Sequence, residues 1–377
     1  MSVKICHVTS AHNSTDVRIF EKECTSLAKL EGNEVYLVAP GESFQKNNVQ
    51  IVGIGERPSS RMKRFTAFSK KAYKTALSLD ADIYHFHDPE LLQYAVKLKH
   101  KGKIVVYDSH EDTVADIQRK EYIPASMRKI ITLIFGKYLY RTASKIDAVV
   151  TVTPRIVEKY KMVNDNVFLV TNYPIIEEDR EIPERKKADS ETVLCFAGGV
   201  APMWSHDRIL EAINGLDDVK YVFFGAGEND YIEHLKEIDG WEKSEYRGKV
   251  PFDTVNRELW NADIGMALCQ YIFGEDKEGT LGNTKLFEEM LHELPVIATD
   301  FRLWKEIVEG NDCGICVDPN DVNQIKDAVT LLMKEPERAK KMGKNGRKVI
   351  LEKYNWKSQE KNLFEAYDML KTEIVGL

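Results

Sequence analysis

Short apolar runs alternate with amphipathic stretches along this chain, and the alternation starts twice. VKICHVTS opens as a strand, and DVRIFEKECTSLAKLEG follows with helical spacing of Ile19, Cys24, Leu27 and Leu30 before a stop at Gly32. EVYLVAPG, VQIVGIG, DADIYHFHDPE, KIVVYDSHE, KIDAVVTVTP and NVFLVTNYP read as further strands. Strands separated by helical stretches predict βαβ units, a mostly parallel sheet and right-handed crossovers.

Between 175 and 191 the chain reads IIEEDREIPERKKADSE, dense in charge and without hydrophobic periodicity, which marks a linker. The alternation then resumes through TVLCFAGG, DRILEAINGL, VKYVFFGAG, YIEHLKEI, SEYRGKV, TVNRELWNA, ADIGMALCQ, LGNTKLFEEMLHELPVIATD and CGICVDP. A chain of 377 residues is long for one core and natural for two domains. The expected fold is α/β, with two Rossmann-like doubly wound parallel-sheet domains over residues 1–177 and 190–355. The last stretch, WKSQEKNLFEAYDMLKTEIVGL, is helical in pattern through Leu363, Phe364, Tyr367 and Leu370, and no strand follows it. It is expected to cross back from about 356 onto the first domain. Such sheets bind ligands at the carboxyl ends of their strands, and two facing each other make a cleft.

A net charge of −7 argues against a general nucleic-acid binder. The six cysteines are scattered; Cys313 and Cys316 form a lone CxxC that reads as a turn into a strand rather than a zinc site. No signal peptide and no transmembrane run are evident, so a cytoplasmic location is expected, with attachment to the inner face of a membrane as its extension. That extension comes from two basic, aromatic-bearing stretches, 61–74 and 118–145, which suit an anionic surface as well as they suit a solvated rim.

The candidate chemistry lies at strand ends. Gly198 and Gly199 follow one strand and Gly225 another, where glycine lets backbone approach a ligand and helix N-termini offer free N–H groups. In the segment from Thr280 through Leu281, Gly282, Asn283 and Thr284, a small polar run opens a helix. Lys285 and Glu288 are three apart and share its face, so a surface ion pair and an anion-and-sugar site are both open readings. His85, His87 and Asp88 end a first-domain strand, but no further metal ligand is obvious from the sequence.

In order and spacing, nearly the whole chain resembles the retaining, nucleotide-sugar-dependent GT-B glycosyltransferases of family four. The resemblance rests on HFHDPELL, VYDSHE and VTNYP in the first half, and on FAGG, VFFGAGE, YRGKVPFDTVNRELWNADIGMAL and KLFEEMLHELPVIATD in the second. It implies that the second domain holds a nucleoside diphosphate sugar, with Glu288 as the second glutamate of an E-x7-E motif at the ribose. Thr280 stands where the first glutamate would be, so the chain departs from the motif there. It further implies the backbone of Leu281–Thr284 as donors and the turn from Arg247 to Val250 at the base. Relatives commonly place an Arg and a Lys after the first glycine turn; the nearest cation here is Arg208, so Lys285 is the expected diphosphate partner. His110 is placed at the transferred sugar, Asp16 and Arg18 on the acceptor side, and His87 in a structural or acceptor-side role. No catalytic metal and no cofactor beyond the co-substrate are expected.

The resulting expectation is a retaining glycosyltransferase, using a UDP-linked sugar and extending a bacterial surface glycan or its lipid-linked precursor. A UDP-sugar epimerase of the same fold and a non-catalytic sugar-nucleotide-binding subunit are the rivals. A nicotinamide dehydrogenase fits less well, because neither glycine turn completes the dinucleotide fingerprint.

Overall fold

The computed structural model describes residues 2–119, 123–176, 191–271 and 277–375. It divides into two compact units, Met1–Asn172 with Trp356–Leu377, and Tyr173–Asn355.

The first unit is built on strands β1 (Val3–Val8), β2 (Asn33–Ala39), β3 (Phe44–Lys46), β4 (Val49–Gly53), β5 (Ile83–Phe86), β6 (Ile104–Ser109), β7 (Ala148–Thr151) and β8 (Val167–Leu169). They form one sheet in the order β3-β4-β2-β1-β5-β6-β7-β8, parallel except where β3 runs against β4 at the edge. The small edge hairpin from Phe44 was not foreseen, because its three exposed residues carry no alternating pattern. The central strands β5, β6 and β7 are buried at every position, as a sheet covered on both faces requires. One face packs Cys6, Val8, Tyr84, Phe86 and Tyr107 against the helices that follow β4 to β7. The other packs Val3, Ile5, Ile83 and Val106 under Ile19, Phe20 and Leu27, and under Trp356, Leu363, Tyr367 and Leu370 of the C-terminal helix Trp356–Val375. The last helix therefore completes the core of the first unit.

The helix after β1 is wound as a π-helix over Val17–Cys24 and continues as α-helix through Thr25–Ala28. It stops four residues before Gly32, which takes a positive φ of 85° in the turn into β2. Asp16 caps its start, accepting from the backbone N–H of Arg18 and Ile19.

The second unit has strands β9 (Thr192–Ala197), β10 (Val219–Phe224), β11 (Ser244–Tyr246), β12 (Ile264–Ala267), β13 (Val296–Thr299) and β14 (Gly314–Val317). All pairings are parallel, in the order β11-β10-β9-β12-β13-β14. The order reverses direction between β9 and β12, which is the switch point where such sheets open to ligands. The unit begins at Tyr173, earlier than a boundary after residue 177 would place it. Tyr173 packs edge-on against Phe287 and Tyr354 in the core of the second unit, and that contact sets the division. Most of the charged stretch read as a linker, residues 177–190, lies outside the described residues.

Candidate functional site

In the second unit, the loops leaving β9, β10 and β11 gather with the start of helix Thr284–Leu291. Gly225 has a φ of 136°, and a side chain there would put its Cβ 1.7 Å from the carbonyl oxygen of Gly198. Its N–H donates to Gly248 O, and Tyr246 Oη donates to Gly225 O. A Cβ on Gly198 would meet Lys285 Cε at 1.9 Å. These two glycines are thus demanded by close packing of the turns on each other and on one lysine. Gly199 has looser surroundings, with Ala226 O at 3.9 Å from an added Cβ.

Lys285 does not form a surface pair with Glu288. Its ammonium lies over the Trp204 ring, 3.6 Å from the centroid, with Phe196 beyond at 5.6 Å. Burial pushes its pKa down to about 8, against the pull of Glu289. Glu289, the neighbour that sequence reasoning passed over, is 1% exposed, and neither carboxylate oxygen has a hydrogen-bond partner. Burial pushes its carboxyl well above the ordinary range, against the pull of Lys285. Glu288 is half-buried one turn into the helix. Asn283 caps that helix by accepting from Lys285 N–H, so one of the N-terminal donors is already used. Thr280 is held on both sides: its Oγ1 accepts from Gly282 N–H, and its carbonyl accepts from Trp304 Nε1. Leu281 is half-buried and Gly282 exposed, leaving the loop backbone at the surface of the unit.

The Arg247 guanidinium pairs with Glu245 at 2.6 Å and Glu258 at 3.0 Å. What the segment from Arg247 to Val250 can offer a base is therefore mainly its backbone, with Val250 packed against the cluster around Phe224 and Leu259. Arg208, the nearest cation after the first glycine turn, is spent on Glu211 at 2.8 Å. Cys313 is a buried free thiol and Cys316 a partly buried one.

In the first unit, His110 follows β6 directly, with Nδ1 3.5 Å from Asp108 Oδ2 and its ring set edge-on to His12 at 5.0 Å. His12 also approaches Asp16 at 3.3 Å and Asp88 at 3.5 Å. Burial works against charge on His12, but Asp16, Asp88 and Glu111 outweigh it and raise its pKa above the ordinary value. Burial likewise works against the Asp16 carboxylate, and the His12 and Ile19 hydrogen bonds overcome this, pulling it down to about 2. Asp88 holds the loop after β1 by accepting from Ser10 N–H at 2.5 Å and Thr9 Oγ1 at 2.9 Å.

Two of the residues expected on the acceptor side, Arg18 and His87, are buried. Arg18 is 5% exposed and forks onto Asp108 through Nε and Nη2, both at 2.8 Å, while Nη1 donates to Val170 O. His87 is 1% exposed, stacked on His7 and His85 inside the unit. Both belong to a buried polar cluster that helical and strand periodicity could not reveal. Burial alone would raise the Asp108 carboxyl, but Arg18 and the flanking histidines hold it well below its usual range.

Two parallel-sheet units, the second gathering glycine turns and a capped helix start at its strand ends, make the GT-B architecture of glycosyltransferases. The comparisons with known proteins agree. The family model "Glycosyl transferases group 1" matches residues 177–349, and that for "Glycosyltransferase Family 4" matches residues 20–167. The chain belongs to the family-four GT-B glycosyltransferases. An uncharacterized glycosyltransferase of Methanocaldococcus jannaschii is 22% identical over 371 residues, covering 91% of this chain and 92% of the relative. A GDP-mannose-dependent mannosyltransferase of Mycobacterium tuberculosis, acting on phosphatidylinositol monomannoside, is 28% identical over 174 residues, 44% of each chain. Among solved structures, sucrose-phosphate synthase from Thermosynechococcus elongatus superposes with a TM-score of 0.75 at 14% identity, covering 98% of this chain and 99% of that one. Anabaena HepE, in complex with UDP and glucose, superposes with a TM-score of 0.69 at 12% identity, covering 97% and 100%. At such identity the likeness carries the fold.

Proposed function

We propose that this glycosyltransferase takes its sugar from a nucleoside diphosphate sugar, UDP-linked, and transfers it with retention to a glycan or lipid-linked acceptor in bacterial surface polysaccharide assembly. The observation that carries the donor reading is Lys285, a cation half-buried beside Gly198 at the start of a helix, without the surface carboxylate partner that spacing offered it. A cation poised there, with the backbone donors of Leu281–Thr284 beside it, is suited to the diphosphate and to the charge that develops as it departs. Glu288, one turn along, accepts from the ribose hydroxyls. The backbone from Arg247 to Val250 meets the base, and His110 meets the transferred sugar. Retention proceeds by front-face attack, the leaving phosphate helping to take the acceptor proton.

The names of the similar proteins mention both GDP-mannose and UDP, so the nucleotide is the first thing to test. Thermal-shift measurements with UDP, GDP, ADP and dTDP are expected to show the largest rise in melting temperature for UDP. A largest rise for another nucleotide replaces the UDP assignment, and no rise with any of them removes the donor site. Glu288→Ala is expected to weaken UDP binding at least about tenfold, or roughly 1.4 kcal/mol. Unchanged affinity would take Glu288 out of the ribose role.

The first unit supports the membrane side of the reading. Helix Ala125–Ala143 exposes Met127, Ile130, Leu133 and Ile134 by 53% to 73%, on the same helix as Arg128, Lys129, Lys137 and Arg141. Met62 is 77% exposed within the other basic stretch. Among the described residues no helix is long and apolar enough to cross a membrane, so contact would be at the surface. Co-sedimentation with vesicles containing anionic lipid at low salt is expected; no binding there removes this surface from the proposal.

A further inference from the structure

Four side chains from three distant parts of the sequence converge inside the first unit: His7 on β1, Glu23 on the π-helix, and His85 and His87 on and just after β5. They are 0%, 0%, 0% and 1% exposed. Parallel pairing sets His7 directly beside His85, and His87, two residues on, shares their face of the sheet. Each offers one ligand atom, and all four atoms lie within 4.8 Å of one another.

The separations suit a single ion. His7 Nδ1 is 2.9 Å from His87 Nε2, and Glu23 Oε2 is 3.9 Å from the first and 4.0 Å from the second. Ligands on one tetrahedral ion at bonds of about 2.0–2.1 Å stand roughly 3.3 Å apart, between these values. The outward atoms are already held. His87 Nδ1 lies 3.1 Å from Asp108 Oδ2, while Tyr367 Oη is 2.8 Å from His85 Nδ1 and 3.2 Å from His7 Nε2. Arg18 Nη2 lies 3.1 Å from Glu23 Oε1 without forming a hydrogen bond. Outer partners of this kind orient metal-bound imidazoles and set which nitrogen faces the ion. Of the inward atoms, His7 Nδ1 and His87 Nε2 stand within hydrogen-bond distance of each other, while His85 Nε2 and Glu23 Oε2 are buried with no hydrogen-bond partner. Buried polar atoms of native proteins are normally satisfied, and two orphans within one cluster of ligand atoms call for a shared partner.

We propose that His7, Glu23, His85 and His87 hold a structural divalent transition-metal ion, zinc by its fit to three imidazoles and one carboxylate. The four protein ligands close the site, so its work is to fasten the π-helix to the sheet. Through Tyr367 it also reaches the C-terminal helix. The proposal is independent of the donor and acceptor assignments.

The test uses the full chain, purified without chelator from zinc-supplemented medium. Elemental analysis is expected to find about one zinc per chain, and X-ray absorption at the zinc edge is expected to show nitrogen and oxygen ligands near 2.0 Å with no sulfur. Glu23→Gln, close to isosteric, is expected to keep the fold by circular dichroism and lose at least about nine-tenths of the metal. A Cys313→Ser/Cys316→Ser variant is expected to retain it. A chain that stays below a tenth of an equivalent of zinc, and whose melting temperature zinc does not raise, overturns the proposal. So does zinc lost from the cysteine variant and kept by Glu23→Gln, or a sulfur ligand in the absorption spectrum.

Discussion

Lys285 shows how one residue's surroundings become a measurable dependence. Its pKa is pushed down to about 8 in the folded protein by burial against Trp204 and Phe196. Between about 8 and its unfolded value of 10.5, the folded chain gives up that proton first, so the cost of burying the charge is present below 8 and fades as pH rises. On the donor reading proposed above, the diphosphate takes the charged form. UDP affinity is therefore expected to fall as pH climbs past 8, approaching roughly tenfold per unit. Lys285→Met should weaken binding at pH 7 and abolish this slope; calorimetric titration from pH 7 to 10 reads both. Helical spacing was enough to put Lys285 and Glu288 on one face. It could not tell that Glu289 points into the core beside Gly265, because nothing in a local pattern distinguishes a solvated carboxylate from a buried one.

At the scale of the element, the helix after β1 carries the largest departure from a simple amphipathic reading. Ile19, Cys24 and Leu27 are buried as their spacing predicts, yet Arg18, Lys22 and Glu23 are buried with them. The π winding alters which residues face inward; Asp108 of β6 and the segment after β8 supply partners for Arg18 and Lys22, whereas both Glu23 oxygens stay without a hydrogen bond. Asp16 begins this helix, and Asp16→Ala is expected to cost about 1 kcal/mol of stability in urea unfolding. Its folded pKa of about 2 lies below the ordinary value of 3.8, so its contribution is complete above 3.8 and lost as pH falls through 2. The His12 shift has the opposite sign. Its contribution is present below 6.5 and lost as pH rises through its elevated folded value. In the Asp16→Ala protein the His12 pKa should drop, which a histidine NMR titration would show.

For the whole molecule, the decisive element is the one farthest from the start of the first unit in sequence. Leu363, Tyr367 and Leu370 are fully buried and Trp356 nearly so, all in the core of the first unit. Losing four such side chains removes on the order of 10 kcal/mol, comparable with the net stability of an ordinary domain. A chain ending at Asn355 is thus expected to leave residues 1–172 open to limited proteolysis while 173–355 resist. Equal resistance of both would show that the first unit does not depend on its C-terminal helix.

The sequence by itself determined the two alternating α/β halves, the parallel sheets, the glycine turns and the helix that Asn283 caps. These follow from local periodicity and turn chemistry, which are written within a few residues of each other. Tertiary structure alone decided which charged residues are solvated. Arg18 meets Asp108 ninety positions away, and His7, Glu23, His85 and His87 come together only when two strands pair and a helix covers them. Such contacts depend on long-range register and on the burial of polar atoms, and no window of sequence holds both partners.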